Sequence, residues 1–393
     1  SRGCPFKCSY CLSSRSDQKL EFKPVKQVLE ELDFLIAQKP KIIKFVDRTF
    51  NAKVNHYQAI WKYLISKAPT TKFHCEIHPE LLSENDFEIL SKAPKDLFQF
   101  EIGIQSTNQS TIAAINRKDN WQKSRKNILR LIALNKFHVH TDLIVGLPFE
   151  NLESLAKSFD DIHSLGAEHF QLGFLKVLPG TQMHSQADEF GLVYSDNQPY
   201  EILANNWLSF EEILQLKEIE KLIDKYVNSE KFTNTLRLCN QLFGSPFAFY
   251  SNFAKYCQSQ QVDSSIKNWW KNAATLMDFM NEYFPAENKL IKDFLRFDWS
   301  HIFPGNFPII LQDEFCQNLQ SKCFEYLKSF NESGIIKYKK YKFNTKNIKN
   351  ANYFLAETEK FYQLLKLEKQ VLMFIDKKQI ALNDAELLAK LLN

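Results

Sequence analysis

The sequence predicts an α/β fold with a parallel sheet in its first half and a mainly helical second half. Short apolar segments alternate with amphipathic helical segments five times between residues 24 and 177, at intervals of roughly thirty residues, which is the pattern of repeated β-α-β units. After about residue 210 the strand signals become rare and helical periodicity prevails. The alternation alone is compatible with a partial barrel and with an open doubly wound sheet.

Each element of the first half follows from local periodicity. The first helix is predicted at 24–39, because Pro24 favours a helix start and Val25, Val28, Leu32 and Leu35 then recur at helical spacing. The other elements are assigned by the same rules. They are strands at 42–46, 73–78, 97–105, 139–145 and 170–177, helices at 55–67, 120–134 and 152–165, and a short helix that opens with a capping box at 83–86.

Several of the predicted strands carry polar residues at every second position. Parallel strands that are buried on both faces are normally apolar throughout, so we expect the polar positions to line a lumen that binds a ligand. A solvated sheet face, or polar groups that satisfy one another in the interior, remains an alternative. The polar positions are His74, Glu76 and His78, then Gln99, Glu101 and Gln105, then His138, His140 and Asp142, and finally Gln171.

The second half is predicted to contain helices at 211–227, 266–284, 286–297 and 311–330, a strand at 370–376 and a short terminal helix at 383–392. Six lysines alternate with aromatic residues in 336–349. This pattern can bind single-stranded nucleic acid, but a solvated loop or an edge strand is the preferred interpretation. Cys316 and Cys323 are expected to be buried structural thiols.

The composition is that of an ordinary globular protein. A chain of 393 residues exceeds a usual single domain, and the change of pattern suggests a core at 1–210 and an extension at 211–393. A net charge of +4 is too small to indicate nucleic acid as a partner, and no apolar run is long enough to predict a membrane span. Eight cysteines, three of them grouped, suit a reducing cytoplasm.

The grouped cysteines form the most informative motif. Cys4, Cys8 and Cys11 have the spacing Cys-x3-Cys-x2-Cys, and Gly3 and Pro5 favour a loop. Iron–sulfur clusters are bound by cysteine thiolates, and three ligands leave one iron open, as a catalytic metal site requires. A structural zinc site is the alternative; it needs a fourth ligand, for which the next candidate is His56.

The cysteine spacing, with Tyr10 before the last cysteine, resembles the radical S-adenosylmethionine (radical SAM) superfamily. The resemblance implies a [4Fe–4S] cluster on Cys4, Cys8 and Cys11, with SAM bound to the fourth iron. It also implies reductive cleavage of SAM to methionine and a 5′-deoxyadenosyl radical. The implied fold is a partial (β/α)6 barrel. Because the chain opens three residues before Cys4, we expect the first barrel strand to be missing.

Segments after the predicted strands resemble the SAM-binding segments of this superfamily. Asp47-Arg48-Thr49-Phe50 takes the place of the segment that binds the SAM amine, and Gly103-Ile104-Gln105-Ser106 resembles the segment beside the ribose. Arg117 resembles the residue that pairs with the SAM carboxylate, and Gly146 permits close approach of the adenine. The implied cofactor-binding residues are therefore Tyr10, Asp47, Gly103, Gln105, Ser106, Arg117 and Gly146.

The Asp-x-Thr-Phe variant and Leu178-Pro179-Gly180-Thr181 are typical of the cobalamin-associated branch. The second half resembles the DUF4080-type extension of radical SAM proteins with a B12-binding domain. We therefore expect an N-terminally truncated chain whose complete form carries a cobalamin-binding domain.

The resemblance implies C–H functionalisation or methyl transfer on a small molecule, with a reductant such as flavodoxin or ferredoxin. It identifies no catalytic residue. A tRNA methylthiotransferase-like enzyme and a non-catalytic iron–sulfur electron-transfer protein are the alternatives.

Overall fold

The computed structural model describes residues 1–14, 19–263, 266–303, 305–332, 335–375 and 378–382, together with Leu387. The chain divides into two compact units, Ser1–Asp224 and Lys225–Asn393. The sequence predicts a domain boundary near residue 210, where the strand pattern ends. This boundary stays a prediction. In the part of the chain that the structure describes, no helix is long and apolar enough to cross a membrane.

The first unit contains a five-stranded sheet whose neighbouring strands are all parallel. Its spatial order, β1-β2-β3-β4-β5, follows the chain without a reversal. A doubly wound sheet reverses direction at a switch point, so the open doubly wound alternative is wrong and the partial barrel is confirmed. The strands are β1 (Ile42–Lys44), β2 (Lys72–Glu76), β3 (Phe98–Gln105), β4 (His138–Val145) and β5 (His169–Phe174).

Helices connect these strands and follow them. They are α1 (Val25–Ala37), α2 (Val54–Lys67), α3 (Glu84–Ser91), α4 (Gln109–Ala114), α5 (Trp121–Ala133), α6 (Leu152–His163), α7 (Gln182–Ser185) and α8 (Phe210–Leu222). Helices α4 and α7 were not predicted, because they are too short to show helical periodicity. A two-stranded antiparallel pair, β6 (Val193–Tyr194) and β7 (Ile202–Ala204), was not predicted either.

The two faces of the sheet differ as the alternation predicted. On β3, Phe98, Phe100, Ile102 and Ile104 are buried, whereas the residues between them are partly accessible. The indole of Trp61 on α2 lies 5.8 Å from the ring of Phe100, so the apolar face packs against a helix. The polar face therefore points away from the helices, towards the inside of the partial barrel.

Strand register places the polar residues in rows across that inner face. In parallel strands, residues in register lie side by side. One row consists of Glu76, Glu101, His140 and His169, and the next row towards the carboxyl ends contains Gly103, Asp142 and Gln171.

The second unit is mainly helical, with short antiparallel strands. Its helices are α9 (Thr233–Leu242), α10 (Pro246–Ser259), α11 (Trp269–Tyr283), α12 (Asn288–Ile302), α13 (Glu314–Lys328), α14 (Thr345–Lys349) and α15 (Glu359–Leu365). Its strands are β8 (Asn331–Glu332), β9 (Ile335–Tyr338), β10 (Tyr341–Phe343), β11 (Asn352–Phe354), β12 (Val371–Ile375) and β13 (Lys378–Leu382). Strand β12 confirms the strand predicted at 370–376. The terminal helix predicted at 383–392 lies outside the described residues apart from Leu387.

The lysine-rich segment 336–349 forms β9, β10 and α14, with β10 at the edge of its sheet. Its lysines are exposed, but Tyr338 is buried beside Tyr326 and Phe330. The Tyr338 ring therefore contributes to packing instead of offering a platform for stacked bases. This confirms the edge-strand interpretation. Cys316 and Cys323 are both buried, as expected for structural thiols.

Candidate cofactor site

The cysteine loop, residues 4–11, is fixed by backbone hydrogen bonds to two distant segments. The N–H of Ser9 donates to the carbonyl of Ile115 at 2.9 Å, and the N–H of Met183 on α7 donates to the carbonyl of Ser9 at 2.9 Å. The N–H of Cys11 donates to the carbonyl of Cys8 at 3.2 Å, which closes the loop locally. One anchor, Ile115, directly follows α4, and the other, Met183, lies on α7. The two short helices that were not predicted from the sequence therefore position the cysteine loop.

All three thiols of the loop line one cavity of about 220 Å³. Cys8 is buried, and the sulfur of Cys4 lies 3.4 Å from the hydroxyl of Thr49. Among the described residues, no three His, Cys, Asp or Glu side chains are close enough to bind a single metal ion. A multi-iron cluster needs thiolates spread around a larger body, which is compatible with three thiols around one cavity.

Arg117, just after α4, reaches the same cavity. Its Nη2 donates to the carbonyl of Gly103 at 2.5 Å, and its Nε lies 3.6 Å from Oδ2 of Asp119 without a hydrogen-bond partner among the described residues. Burial raises the pKa of the Cys8 thiol, and the charge of Arg117 opposes this effect. The guanidinium is thus placed to favour a thiolate or a bound carboxylate.

The end of β3 has an irregular backbone beside the cavity. The register between β3 and β4 shifts between Gly103 and Gln105. Gln105 has a φ angle of +73°, a backbone conformation that residues other than glycine rarely adopt. Its Oε1 is buried without a partner among the described residues. A Cβ on Gly103 would lie 2.2 Å from Nε2 of Gln105, so glycine makes room for this carboxamide. Strain of this kind persists where the surroundings enforce it, often at binding sites.

Three carboxylates of the inner face, Glu76, Glu101 and Asp142, line the same cavity, and two histidines lie beside them. Nε2 of His74 lies 2.9 Å from Oε2 of Glu101, and Nε2 of His140 lies 2.9 Å from Oδ1 of Asp142. The hydrogen bond from His74 lowers the pKa of Glu101, whereas burial raises the pKa of Asp142. Burial, with repulsion from Glu101, also raises the pKa of Glu76. The predicted polar face therefore lines the cavity at Glu76, His78, Glu101, Gln105 and Asp142, and its binding of a ligand stays a prediction.

A second cavity, of about 510 Å³, adjoins the first. Both are lined by Tyr10, Cys11, Arg48, Gln105 and Asp142. The second cavity extends to β5 and α8, where its lining is mixed apolar and charged and includes Phe174, Leu175, Lys176 and Glu220. Its volume falls in the range of small-molecule sites.

Three residues implied by the resemblance, Asp47, Ser106 and Gly146, do not line either cavity. Asp47 is buried, and its Oδ1 lies 2.5 Å from the amino group and from the hydroxyl of Ser1. Gly146 has φ of +89°, and a Cβ there would lie 2.8 Å from the side chain of Ile202. The assignment of Asp47, Ser106 and Gly146 to SAM binding remains a proposal. The same holds for the residues that do line the cavities, which are Tyr10, Gly103, Gln105 and Arg117.

Ser106 instead belongs to a buried network around Glu150, which the sequence analysis did not identify. The hydroxyl of Ser106 donates to Oε1 of Glu150 at 2.6 Å, and that of Ser158 donates to the same atom at 2.9 Å. The N–H of Thr107 donates to the Ser158 hydroxyl at 3.1 Å. This network fixes the backbone directly after Gln105. Glu150 follows the segment Gly146-Leu147-Pro148, where the sequence shows neither helical nor strand periodicity. No sequence pattern therefore pointed to it.

Two family models match the chain. Residues 1–162 match the Radical SAM superfamily, and residues 188–375 match the family described as Protein of unknown function (DUF4080).

Curated relatives include the ribosomal protein uS12 methylthiotransferase RimO of a Nitratiruptor species. It is 20% identical over 238 residues, which cover 58% of this chain and 53% of the relative. The tRNA-2-methylthio-N(6)-dimethylallyladenosine synthase of a Psychrobacter species is 23% identical over 66% of this chain and 54% of its own. The chain thus spans about half the length of these relatives.

Among solved structures, the radical SAM methyltransferase TsrM from Kitasatospora setae, with tryptophan and a SAM analogue bound, is similar at 16% identity. The similarity covers 49% of this chain and 38% of that one, with a TM-score of 0.43, which is too low to support a conclusion. The two family models match different parts of the chain, which therefore has a region similar to the Radical SAM superfamily at residues 1–162 followed by a region similar to the DUF4080 family at residues 188–375.

Proposed function

We propose that this protein reductively cleaves S-adenosylmethionine by means of a [4Fe–4S] cluster held by Cys4, Cys8 and Cys11. The observation that carries the proposal is that all three thiols line one cavity, together with the unpartnered polar atoms of Gln105 and Arg117. Buried polar atoms without partners are uncommon in proteins and call for an explanation. A bound polar cofactor supplies the missing partners.

The residues of the cavity have separate tasks in this proposal. When bound, the cluster supplies one electron to the sulfonium of SAM, which yields methionine and a 5′-deoxyadenosyl radical. The guanidinium of Arg117 binds the SAM carboxylate, a task that its planar fork suits. The carboxamide of Gln105, directed by its backbone, bonds to the ribose. Tyr10 and Phe6 shield the site from water, which protects a reactive radical.

The larger cavity is the proposed substrate site. It shares Gln105 and Asp142 with the cofactor cavity, so a substrate there would lie next to the radical. The mixed lining, with Phe174 and Leu175 beside Lys176 and Glu220, favours a small molecule with apolar and charged parts. An external one-electron donor such as flavodoxin or ferredoxin would reduce the cluster.

Cobalamin-linked C–H functionalisation or methyl transfer is the finer proposal for the reaction. It is supported by the resemblance of Asp47-Arg48-Thr49-Phe50 to the cobalamin-associated branch and is compatible with the DUF4080 match. Visible absorbance of the full-length gene product, purified from cells supplied with cobalamin, tests it. Absence of a cobalamin spectrum would remove cobalamin and leave SAM cleavage in place.

A methylthiotransferase-like reaction is the second candidate, since curated relatives carry that name. Resemblance to that group of enzymes would imply further cluster-binding cysteines besides Cys4, Cys8 and Cys11. Four of the five remaining cysteines, Cys75, Cys239, Cys316 and Cys323, are buried. Burial raises the pKa of Cys323 to about 12 and is the largest cause of a similar rise at Cys316, which disfavours the thiolate that a metal needs. We prefer the first candidate because the Asp47-Arg48-Thr49-Phe50 segment and the DUF4080 match favour the cobalamin-associated branch.

Replacing Cys8 by Ala tests the cluster assignment. After anaerobic reconstitution we expect the Cys8→Ala protein to lose its iron, its charge-transfer absorbance and the release of 5′-deoxyadenosine from SAM. Cys257→Ala is the matched control, because Cys257 is half-buried in the other unit and should retain the cluster. Full iron content in Cys8→Ala would refute the assignment. A native protein that binds iron but not SAM would indicate the electron-transfer alternative.

A further inference from the structure

His78 is a buried side chain at the cofactor cavity whose polar atoms have no partner in the described residues. It follows β2, is 4% exposed and lines the cavity together with Cys4, Cys8 and Arg117. Both of its ring nitrogens are buried without a hydrogen bond. Leaving a buried donor or acceptor unsatisfied is destabilising, so a ring with two such atoms is best explained by a ligand that completes it.

The position of the His78 ring is fixed from two sides. Its backbone N–H donates to Oδ1 of Asn51 at 2.8 Å, and Nδ2 of Asn51 donates to the carbonyl of His78 at 2.9 Å. The ring stacks on Phe6, with centroids 4.5 Å apart and planes inclined by 27°. Phe6 lies on the cysteine loop between Cys4 and Cys8. The imidazole is therefore coupled directly to the loop that would wrap the cluster.

The charges around His78 favour a neutral ring. Burial and the positive charge of Arg117 lower its pKa to about 4, Lys123 acts in the same direction, and Asp119 opposes them. A neutral imidazole offers one N–H donor and one acceptor. Because the ring stacks on Phe6, between Cys4 and Cys8, the sulfur atoms at the cysteine loop are the acceptors to which we assign this N–H.

We propose that His78 donates a hydrogen bond to a sulfur of the cluster and makes the cluster easier to reduce. Hydrogen bonds to cluster sulfurs are one of the factors that set the reduction potential, because they stabilise the more negative, reduced form. Outer partners of this kind tune metal sites without ligating the metal. The inference rests on the proposed function, since it requires a cluster on Cys4, Cys8 and Cys11.

The test compares reconstituted native protein with His78→Phe and His78→Asn by redox titration monitored by EPR, without SAM. Phenylalanine preserves the stacking on Phe6 but cannot donate. We expect His78→Phe to retain iron and to be about tenfold less reduced at a fixed potential, which is about 59 mV for a one-electron couple. His78→Asn, whose amide can donate, should lie between. His56→Phe, a buried control outside the cavity, should match the native protein.

The outcomes are separable. Retained iron with an unchanged potential in His78→Phe overturns the inference, and so does a change confined to SAM affinity. If His78→Phe loses its iron, pulsed EPR of the native reduced cluster labelled with 15N-histidine decides instead, and absence of a nitrogen coupling overturns it. A native protein that binds no iron refutes the proposed function itself, which the iron content reveals before any variant is compared.

Discussion

Arg117 links parts of the chain that are far apart in sequence. It bonds to the end of β3 through the carbonyl of Gly103, and its charge acts on Cys8 in the cysteine loop. A buried guanidinium needs anionic or carbonyl partners on most of its N–H groups. One of its groups, Nε, still lacks a hydrogen bond among the described residues, which leaves capacity for a carboxylate.

Replacing Arg117 by Ala should weaken SAM binding by about 1.5–3 kcal/mol, the contribution of a hydrogen bond to a charged group. Calorimetry on the reconstituted protein measures this affinity. Arg125→Ala is the matched control, because Arg125 is exposed on α5 and should leave the affinity unchanged. Equal affinity in Arg117→Ala and native protein would remove Arg117 from the SAM site without affecting the assignment to the superfamily.

Glu150 is a second residue whose role depends on burial. It is 0% exposed and accepts hydrogen bonds from Ser106 and Ser158 on Oε1, while its Oε2 has no partner in the described part of the chain. Burial raises its pKa to about 7, although the two hydroxyl donors act in the opposite direction. The carboxyl therefore changes its protonation near neutral pH while it fixes the backbone beside Gln105.

The raised pKa of Glu150 predicts a pH-dependent stability. Between its ordinary pKa and about 7 the folded protein binds the proton that the unfolded chain has released, so the free energy of unfolding falls as pH rises through this window. The contribution is on the order of 3 kcal/mol. In Glu150→Gln, the free energy of unfolding should fall less between pH 5 and pH 7.5 than in the native protein. Urea unfolding at the two pH values measures this difference.

The control for this prediction is Glu153→Gln, which changes an exposed glutamate in the first turn of α6. It should keep the pH dependence of the native protein. The same decline in Glu150→Gln and native protein would contradict the role assigned to Glu150.

Among the elements, α3 shows how a helix start is fixed in the interior. Its capping box joins Ser83 and Asp86, as the sequence predicted. The structure adds two donors from α2, because the hydroxyl of Tyr57 and the carboxamide of Gln58 also donate to Asp86, at 2.8 and 2.7 Å. Asp86 is 0% exposed, so one carboxylate caps α3 and joins it to α2.

Asp86→Ala should therefore lower the free energy of unfolding by more than the loss of a helix cap alone would. The change leaves donors from Ser83, Tyr57 and Gln58 without an acceptor, and we expect the free energy of unfolding to fall by about 3–4 kcal/mol. Ser83→Ala removes only the cap and should cost about 1 kcal/mol. Chemical unfolding of both variants measures the difference. Similar losses in the two variants would show that the bonds from α2 contribute little.

At the scale of the whole molecule, each compact unit has its own interior. The second unit contains a buried ionic network around Arg296, which is 1% exposed. Arg296 donates to the carbonyl of Leu311 at 2.9 Å, to Glu357 at 2.7 Å and to Asp313, and it lies 3.8 Å from Asp293. Removing one partner from such a network leaves uncompensated buried charge.

Arg296→Ala should destabilise the second unit by about 3–5 kcal/mol. Hydrogen exchange followed by mass spectrometry should show lost protection in α12 and β11, while β3 and β4 and the iron content after reconstitution stay unchanged. The exposed pair of Lys360 and Glu287 provides a control, and Lys360→Ala should change protection little. Equal loss of protection in both units would contradict separate interiors.

The sequence by itself determined the features that depend on local pattern. The spacing of Cys4, Cys8 and Cys11 indicated the superfamily, the alternation of strands and helices indicated the parallel sheet, and a period of two along β3 and β4 indicated a polar lumen. The strands β8 to β11 were not resolved as such, because segments of two to four residues are too short for periodicity to appear.

Only the tertiary structure decided which distant residues meet. It brought Arg117 beside Cys8, paired Ser106 with Glu150, and stacked His78 on Phe6. Tertiary packing also decided that Gln105 lines the cavity and that Ser106, its neighbour, does not. The reason is physical: periodicity reports which face of an element is apolar, whereas contacts between elements depend on strand register, burial and the closure of long loops, which no local pattern encodes.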